Sequence, residues 1–147
     1  MTRSERIQPV KKHARNQEDQ AVRQMAERQK ELEAQEQQLS MLRQYKQEYL
    51  ENWQVTCGQG VSIAQMQNYR SFIARIGEAV NQQEGAVEMA RRAYEEARRG
   101  WQGRRRHTKA VGKLQNRLHG QEQHAADKKE QRELDDWVQA NNAHGIG

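Results

Sequence analysis

The sequence has few of the residues that build a compact hydrophobic core. Only 34% of its 147 residues are hydrophobic and 5% are aromatic, whereas an ordinary globular domain has roughly 45–50% apolar residues. This shortage excludes most enzyme folds, which pack a core around a pocket. Proline occurs once, at Pro9, which argues against a Pro-rich linker and against a turn-rich β protein. The composition is then compatible with two kinds of structure, a disordered chain or long helices.

Cysteine is nearly absent too. The one cysteine, Cys57, cannot form an intrachain disulfide, so we expect a reducing, cytosolic setting. The first residues lack the apolar stretch of a signal peptide. The longest uncharged segment, 52–69, is rich in Gln, Asn and Gly, whereas a membrane span needs about 20 mostly apolar residues. We therefore expect no membrane insertion.

What the chain does have favours helices. Charged residues make up 31% of it, and Gln, Glu, Arg and Ala, which dominate it, are strong helix formers. Disordered chains instead lean on Pro, Ser and Gly. A two-helix coiled coil tolerates a poor apolar fraction because it buries only a narrow stripe. The composition predicts a single coiled-coil domain over residues 1–147.

Two heptad frames support this interpretation. The first places Met25, Leu32, Leu39 and Trp53 at a, and Ala14, Ala21, Leu42 and Tyr49 at d. It has polar gaps and needs a partner helix. The second places Met66, Ile73, Val80, Val87, Tyr94 and Trp101 at a, and Tyr69, Ile76, Gln83, Ala90 and Ala97 at d, where only Gln83 is polar.

A turn separates the frames. Gly58 and Gly60 can adopt a positive φ and end a helix, and Ser62 with Gln65 has capping-box spacing. The fold prediction is an all-α antiparallel hairpin with helices at about 10–56 and 63–138, a turn at 57–62 and a frayed C-terminus at 139–147. A register in which opposed residue numbers add up to about 122 pairs the two frames.

The second helix is expected to outrun the first and to leave an unpaired tail. Val111, Leu114 and Leu118 would continue the apolar stripe into that tail, and Leu134, Trp137 and Val138 would form a further patch.

Signatures of catalysis are missing. The pair Gly58 and Gly60 lacks the Lys and the Ser or Thr of a phosphate-binding loop. The histidines show neither an i, i+4 pair nor an H-E-x-x-H motif, so we expect no metal site. A long hairpin offers no concave pocket to exclude water around a carboxylate. We predict no catalytic residue, no cofactor and no small-molecule substrate.

Positive charge is concentrated in residues 91–117. This segment contains ten Lys or Arg and two Glu, which gives it a net charge of +8. The register places Lys11, Lys12 and Arg15 opposite this stretch. Such a cluster could bind nucleic-acid phosphates, bind an acidic protein or simply be solvated. Nucleic acid is the least favoured, because zipper proteins grip DNA with two parallel forked helices, whereas this hairpin is antiparallel.

The end of the hairpin with the turn differs from the basic end. Apolar residues there also lie outside the seam, the stripe of a and d residues that packs between the two helices. Tyr45 and Phe72 are both g positions, and the g flanks of an antiparallel pair lie on one side. Gln38, Tyr45, Phe72 and Ala79 are thus expected to form an exposed strip beside Leu42, Tyr49 and Ile76. Aromatic residues on one flank indicate a partner site; alternatively, they only widen the seam.

Several motifs near the turn carry a family resemblance. They are Met41-Leu42-Arg43-Gln44-Tyr45-Lys46-Gln47-Glu48-Tyr49, then Gly58-Gln59-Gly60, Asn68-Tyr69 and Phe72-Ile73. In this order and spacing, over nearly the whole length, the chain resembles the FliJ proteins of the bacterial flagellar type III export apparatus.

The resemblance implies a non-enzymatic cytoplasmic protein of flagellum assembly, needed for motility and chemotaxis and peripherally associated with the inner membrane at the flagellar base. Its architecture would be similar to the antiparallel coiled coil of the rotary ATP synthase gamma subunit. It would dock into the ring of the export ATPase FliI, promote ring assembly and activity, contact the export gate protein FlhA and escort export chaperones.

The resemblance also assigns partners to the two surfaces. The gate-contact residues would be Gln38, Leu42, Tyr45, Tyr49, Phe72, Ile76 and Ala79. The basic end would enter the ATPase ring through Lys11, Lys12, Arg15, Arg104, Arg105, Arg106 and Lys109. Alternative functions are a coiled-coil stalk of an injectisome-type secretion system and a basic nucleic-acid-binding coiled coil.

Overall fold

The structure, a computed structural model, describes residues 1–145 and has two α-helices over that range. Helix α1 spans Arg3–Cys57 and the longer helix α2 spans Ile63–Gly145, and no strand occurs among the described residues. The two helices pack against each other, which confirms the predicted all-α antiparallel hairpin.

The turn follows the predicted chemistry with one difference. The Ser62 backbone N–H donates to Gln65 Oε1 at 2.8 Å, and the Gln65 backbone N–H donates to Ser62 Oγ at 3.1 Å, which is the expected capping box. Of the two turn glycines, Gly60 has a positive φ, of 89°. Gly58 instead donates its N–H to the Gln54 carbonyl at 3.3 Å and closes the last turn of α1.

Helix α1 begins earlier than the sequence predicts, at Arg3 rather than near residue 10. A capping box that we did not predict explains the start: the Thr2 backbone N–H donates to Glu5 Oε2 at 3.0 Å, and the Glu5 backbone N–H donates to Thr2 Oγ1 at 3.3 Å. The helix then runs through Pro9, whose missing N–H removes one helical hydrogen bond.

The chain forms two compact units. The turn unit comprises Ala21–Trp101. Its core is a cluster of Leu39, Ile76, Val80 and Val87, against which Leu32, Leu42 and Phe72 pack. The stacked rings of Trp53 and Tyr69 match the predicted register. The expectation of one domain stays a prediction.

The terminal unit combines Met1–Gln20 with the part of α2 that begins at Gln102. The Thr108 hydroxyl donates to the Ala14 carbonyl at 3.3 Å, again in the predicted register. Ser4, which is buried, donates its backbone N–H to Glu122 Oε1 at 2.9 Å and its hydroxyl to Glu122 Oε2 at 2.5 Å. A carboxylate of α2 thus caps the N-terminus of α1.

Because α1 starts early, the unpaired part of α2 is shorter than the sequence predicts. Val111 is buried, and Leu114 and Leu118 are half-buried, because α1 extends along α2 as far as Glu122. Only residues 123–145 are exposed throughout. Residues 139–145, predicted to fray, are helical; residues 146 and 147 lie outside the described range.

Candidate functional site

A ladder of five aromatic rings crosses the two helices of the turn unit. Tyr45, Tyr49 and Trp53 of α1 follow one another at four-residue spacing, so they share one face of the helix. Tyr69 and Phe72 of α2 lie between them. We call these five residues the ring ladder.

Successive rings of the ladder are in contact. Phe72 meets Tyr45 edge-on at a centroid distance of 6.0 Å and Tyr49 at 4.1 Å. Tyr69 stacks on Tyr49 at 5.6 Å and on Trp53 at 4.2 Å, with planes within 10° of parallel. Aromatic pairs in these geometries contribute about 0.5–1.5 kcal/mol each beyond their burial. The ladder therefore holds the helices together and also fixes the ring of Tyr45.

The seven residues predicted to contact a gate protein all lie in the turn unit, but their exposure differs. Gln38 and Tyr45 are exposed, Tyr45 by 52%. Leu42, Tyr49, Phe72 and Ala79 are half-buried, and Ile76 is buried in the core cluster. Phe72 is less accessible than its g position suggests because its ring packs on Tyr49. The surface that a partner can reach is therefore centred on Tyr45.

Neighbouring residues on α1 widen this surface. Met41, one helical turn before Tyr45, is 64% exposed. A shallow groove runs beside them, lined by Gln38, Met41, Leu42, Gln44, Tyr45 and Glu48. We call the exposed surface of these residues the Tyr45 surface. Sequence analysis missed Met41, although its spacing to Tyr45 places the two on one face.

Gln83, the polar residue that breaks the second frame, turns towards α1. Its Nε2 donates to the Gln35 carbonyl at 2.9 Å and to Gln35 Oε1 at 2.6 Å. The Gln35 amide in turn donates to Glu31 Oε1 at 2.9 Å. The amide of Gln83 is thus used inside the hairpin to join the helices.

The predicted basic residues all lie in the terminal unit. The hydrogen bond from Thr108 to the Ala14 carbonyl brings the two helices together at this point, so Lys11, Lys12 and Arg15 approach the segment that includes Arg104, Arg105, Arg106 and Lys109. All seven are exposed except Lys11, which is half-buried. We call them the basic cluster.

Positive charge is dense around this cluster, because residues 91–117 include ten Lys or Arg and two Glu. Arg104, Arg106 and Lys109 make no ion pair with the described residues. The basic cluster therefore presents a concentrated positive potential, which attracts anionic groups most strongly at low salt.

Within residues 1–145 we find no group of His, Cys, Asp and Glu side chains that could hold a metal ion. Over the same residues, neither helix has a stretch apolar enough to cross a lipid bilayer. The features of note are thus two surfaces of contrasting chemistry, one aromatic and one cationic, on a two-helix coiled coil.

Comparison with known proteins places this coiled coil among flagellar proteins. The family model described as "Flagellar FliJ protein" matches residues 3–145. A flagellar FliJ protein of Salmonella typhi is 25% identical over 133 residues, which cover 90% of each chain. No solved structure matches the chain. The chain belongs to the flagellar FliJ family, which supports a role as a component of the flagellar export apparatus.

Proposed function

We propose that this protein is a non-catalytic cytoplasmic stalk of the flagellar type III export apparatus. The basic cluster docks into the ring of the export ATPase FliI and promotes its assembly and activity. The Tyr45 surface contacts the export gate protein FlhA, which associates the stalk peripherally with the inner membrane. The stalk also escorts export chaperones. The family assignment supports a place in the flagellar export apparatus. The two chemically different surfaces support separate binding sites for the ATPase ring and the gate protein.

The observation that carries the proposal is the exposed ring of Tyr45, which the ring ladder holds in place. A ring that is already ordered loses little conformational freedom when it binds, and tyrosine is enriched among the residues that dominate interface energies. The other rings lie deeper between the helices and mainly stabilise the hairpin.

Gate binding can be tested by Tyr45→Ala. We expect the affinity for the cytoplasmic domain of the gate protein, measured by calorimetry, to fall ~30-fold, because an interface hot spot contributes ~2 kcal/mol or more. The melting temperature is expected to change little, since the ring is half exposed. Phe72→Ala is less informative, because Phe72 contacts both Tyr45 and Tyr49.

Leu39→Ala is the matched control. Leu39 is only 8% exposed and belongs to the core cluster, so its truncation is expected to cost about 2–5 kcal/mol of unfolding free energy. Gate affinity at a temperature where the variant is folded is expected to match the parent. If Tyr45→Ala binds the gate domain as well as the parent does, the ring belongs to the seam and the site assignment is wrong.

Ring binding can be tested by charge reversal at Arg104, Arg106 and Lys109, which are exposed and make no ion pair with the described residues. Replacing all three by Glu is expected to weaken binding to the ATPase ring ~10-fold or more at low salt and to reduce the stimulated ATP hydrolysis. Gate binding is expected to stay unchanged.

The same charge change on the turn unit, Arg23, Arg28 and Lys30 to Glu, provides the control and is expected to leave ATPase stimulation intact. If the basic-cluster variant stimulates the ATPase like the parent at low salt, the cluster is a solvated face. Tight, salt-sensitive binding of the parent to duplex DNA, with ATPase stimulation unchanged in the variant, would favour a nucleic-acid function instead.

A further inference from the structure

Two amide side chains interrupt the apolar seam in the middle of the turn unit. Gln83 donates from Nε2 to the carbonyl and to Oε1 of Gln35, at 2.9 and 2.6 Å. Both glutamines occupy d positions and are half-buried. Amides lose hydration in a seam, and a leucine at either position would bury more apolar surface. Stability alone therefore does not explain this pair.

Two ion pairs between the helices flank the same stretch of the seam. Arg43 Nη2 lies 3.0 Å from Glu84 Oε1, and Arg91 Nη2 lies 3.8 Å from Glu36 Oε1. All four residues are e positions of their frames, so each helix presents one acid and one base seven residues apart. Because the four side chains are about half exposed, the ion pairs contribute little to stability.

An apolar heptad seam by itself discriminates weakly between alignments of the two helices. If α2 slides along α1 by seven residues, a positions again face d positions and apolar side chains meet again. The turn can absorb such a slip, since the free energy of closing a longer loop rises only slowly with its length. The ring ladder also favours the observed alignment, so its contribution has to be separated by experiment.

The four charged residues discriminate between these alignments. In a slip by one heptad in one direction, which we call the first slip, Arg43 would face Arg91. In the opposite slip, Glu36 would face Glu84. Each slip therefore brings like charges together on the flank, which disfavours it. Of the three alignments, only the observed one pairs both acids with both bases.

The amide contact discriminates in the same sense. Gln83 would move from Gln35 to Leu42 in the first slip and to Arg28 in the opposite one. Leu42 has no polar side-chain atom, and Arg28 has only donors. The bond from Gln83 to a side-chain oxygen would thus be lost in both slips, and a half-buried amide deprived of its partner is destabilising.

We propose that these amides and ion pairs form a register lock, which selects one alignment of α1 and α2 against alignments shifted by a heptad. The lock consists of Gln35, Glu36, Arg43, Gln83, Glu84 and Arg91. Polar seam residues and flanking charges select alignment in coiled coils at a cost in stability. The selected alignment also places Phe72 of α2 against Tyr45 of α1. The lock acts within the chain and needs no partner.

Pairs of introduced cysteines report the alignment. Gln38 and Ala79 are g positions one heptad away from the contact between Tyr45 and Phe72, so Gln38→Cys with Ala79→Cys reports the observed alignment. Gln38→Cys with Ala86→Cys reports the first slip. A mild oxidant is added to dilute protein, and the fraction of chains with an intramolecular disulfide is measured by non-reducing electrophoresis.

The lock is removed without removing its ion pairs. Arg43→Glu with Glu84→Arg keeps opposite charges facing each other in the observed alignment but makes both slips attractive as well. Gln35→Leu with Gln83→Leu replaces the amides by apolar side chains. All chains carry Cys57→Ser, which removes the native thiol. With all four lock substitutions, we expect the cross-linked fraction of the shifted pair to rise ~5-fold or more and that of the observed pair to fall.

The melting temperature of the same variant, measured under reducing conditions, is expected to equal or exceed that of the parent, because the leucines add burial. The matched control is Lys30→Glu with Glu96→Arg, a charge exchange at exposed outer positions of the same unit. It is expected to leave both cross-linked fractions unchanged.

Two results would overturn the register lock. If the shifted pair cross-links no more in the lock variant than in the parent, the ring ladder and the turn fix the alignment without it. If the melting temperature of the lock variant falls below that of the parent, the six residues stabilise the hairpin instead of selecting its alignment.

Discussion

At the scale of single residues, two glycines have opposite effects on stability. Gly60 adopts a φ of 89°, a conformation that costs a residue with a Cβ roughly 1–2 kcal/mol. Gly85 lies within α2, and a Cβ added there would meet no atom within 4 Å. Glycine inside a helix is less favourable than alanine by about 1 kcal/mol.

We therefore expect Gly60→Ala to lower the free energy of unfolding by about 1 kcal/mol or more and Gly85→Ala to raise it by ~0.5–1 kcal/mol. Urea denaturation monitored by circular dichroism measures both. A stabilising effect of Gly60→Ala would contradict the positive φ, and a destabilising effect of Gly85→Ala would indicate a close contact at that position.

Residue types alone predicted part of the candidate site. Tyr45 and Phe72 could be singled out because both occupy g positions of their frames. The heptad frames also assigned Trp53 and Tyr69 to the seam, but they did not reveal the continuous ring ladder, because ring contacts depend on side-chain rotamers. For the same reason the sequence did not show that Phe72 would be half-buried against Tyr49.

At the scale of the helices, the N-terminus of α1 depends on one carboxylate of α2. Glu122 accepts hydrogen bonds from the hydroxyl and the backbone N–H of Ser4, and its negative charge lies at the positive end of the α1 dipole. The bonds from the Ser4 hydroxyl and then from the Ser4 backbone lower the pKa of Glu122 below its usual value. The ionised form is thus favoured by folding.

A carboxyl whose pKa is lowered by folding stabilises the protein above its unfolded pKa and loses that contribution as the pH falls through its folded pKa. We expect Glu122→Gln to have a lower melting temperature than the parent at about pH 7, and the difference to shrink towards about pH 3. Glu130→Gln, in the exposed part of α2, is the control and is expected to match the parent at both values. A difference for Glu122→Gln that does not vary with pH would contradict the cap.

The helices and the turn were predictable from local signals, namely heptad spacing, Gly60 and the Ser62–Gln65 capping box. The start of α1 was not. Its own capping box, Thr2 with Glu5, lies before Pro9 and was overlooked, although its spacing is visible in the sequence. The contact between Ser4 and Glu122 joins residues 118 positions apart, and nothing in the local sequence of either helix indicates it.

At the scale of the whole molecule, the apolar core is unevenly distributed. The turn unit has the cluster of Leu39, Ile76, Val80 and Val87 together with the ring ladder. Among the described residues of the terminal unit, the buried hydrophobic residues are Ala14 and Val111, and hydrogen bonds such as those of Ser4 and Thr108 supplement them. Residues 123–145 are exposed on all sides. Burial is the main source of helix stability in proteins, so these three parts are expected to differ in stability.

Amide hydrogen exchange followed by mass spectrometry tests this gradient, because protection reports the free energy of local opening. Peptides around Leu39 and Val80 are expected to exchange slowest, those around Ala14 and Val111 faster, and those from residues 123–145 fastest, since no packing against α1 stabilises that part of α2. Leu39→Ala is expected to speed exchange around Val80 more than around Val111, because Leu39 and Val80 share one cluster. Equal protection along α2, or equal acceleration in both units, would show that the hairpin opens as a single cooperative structure and would favour the one-domain prediction.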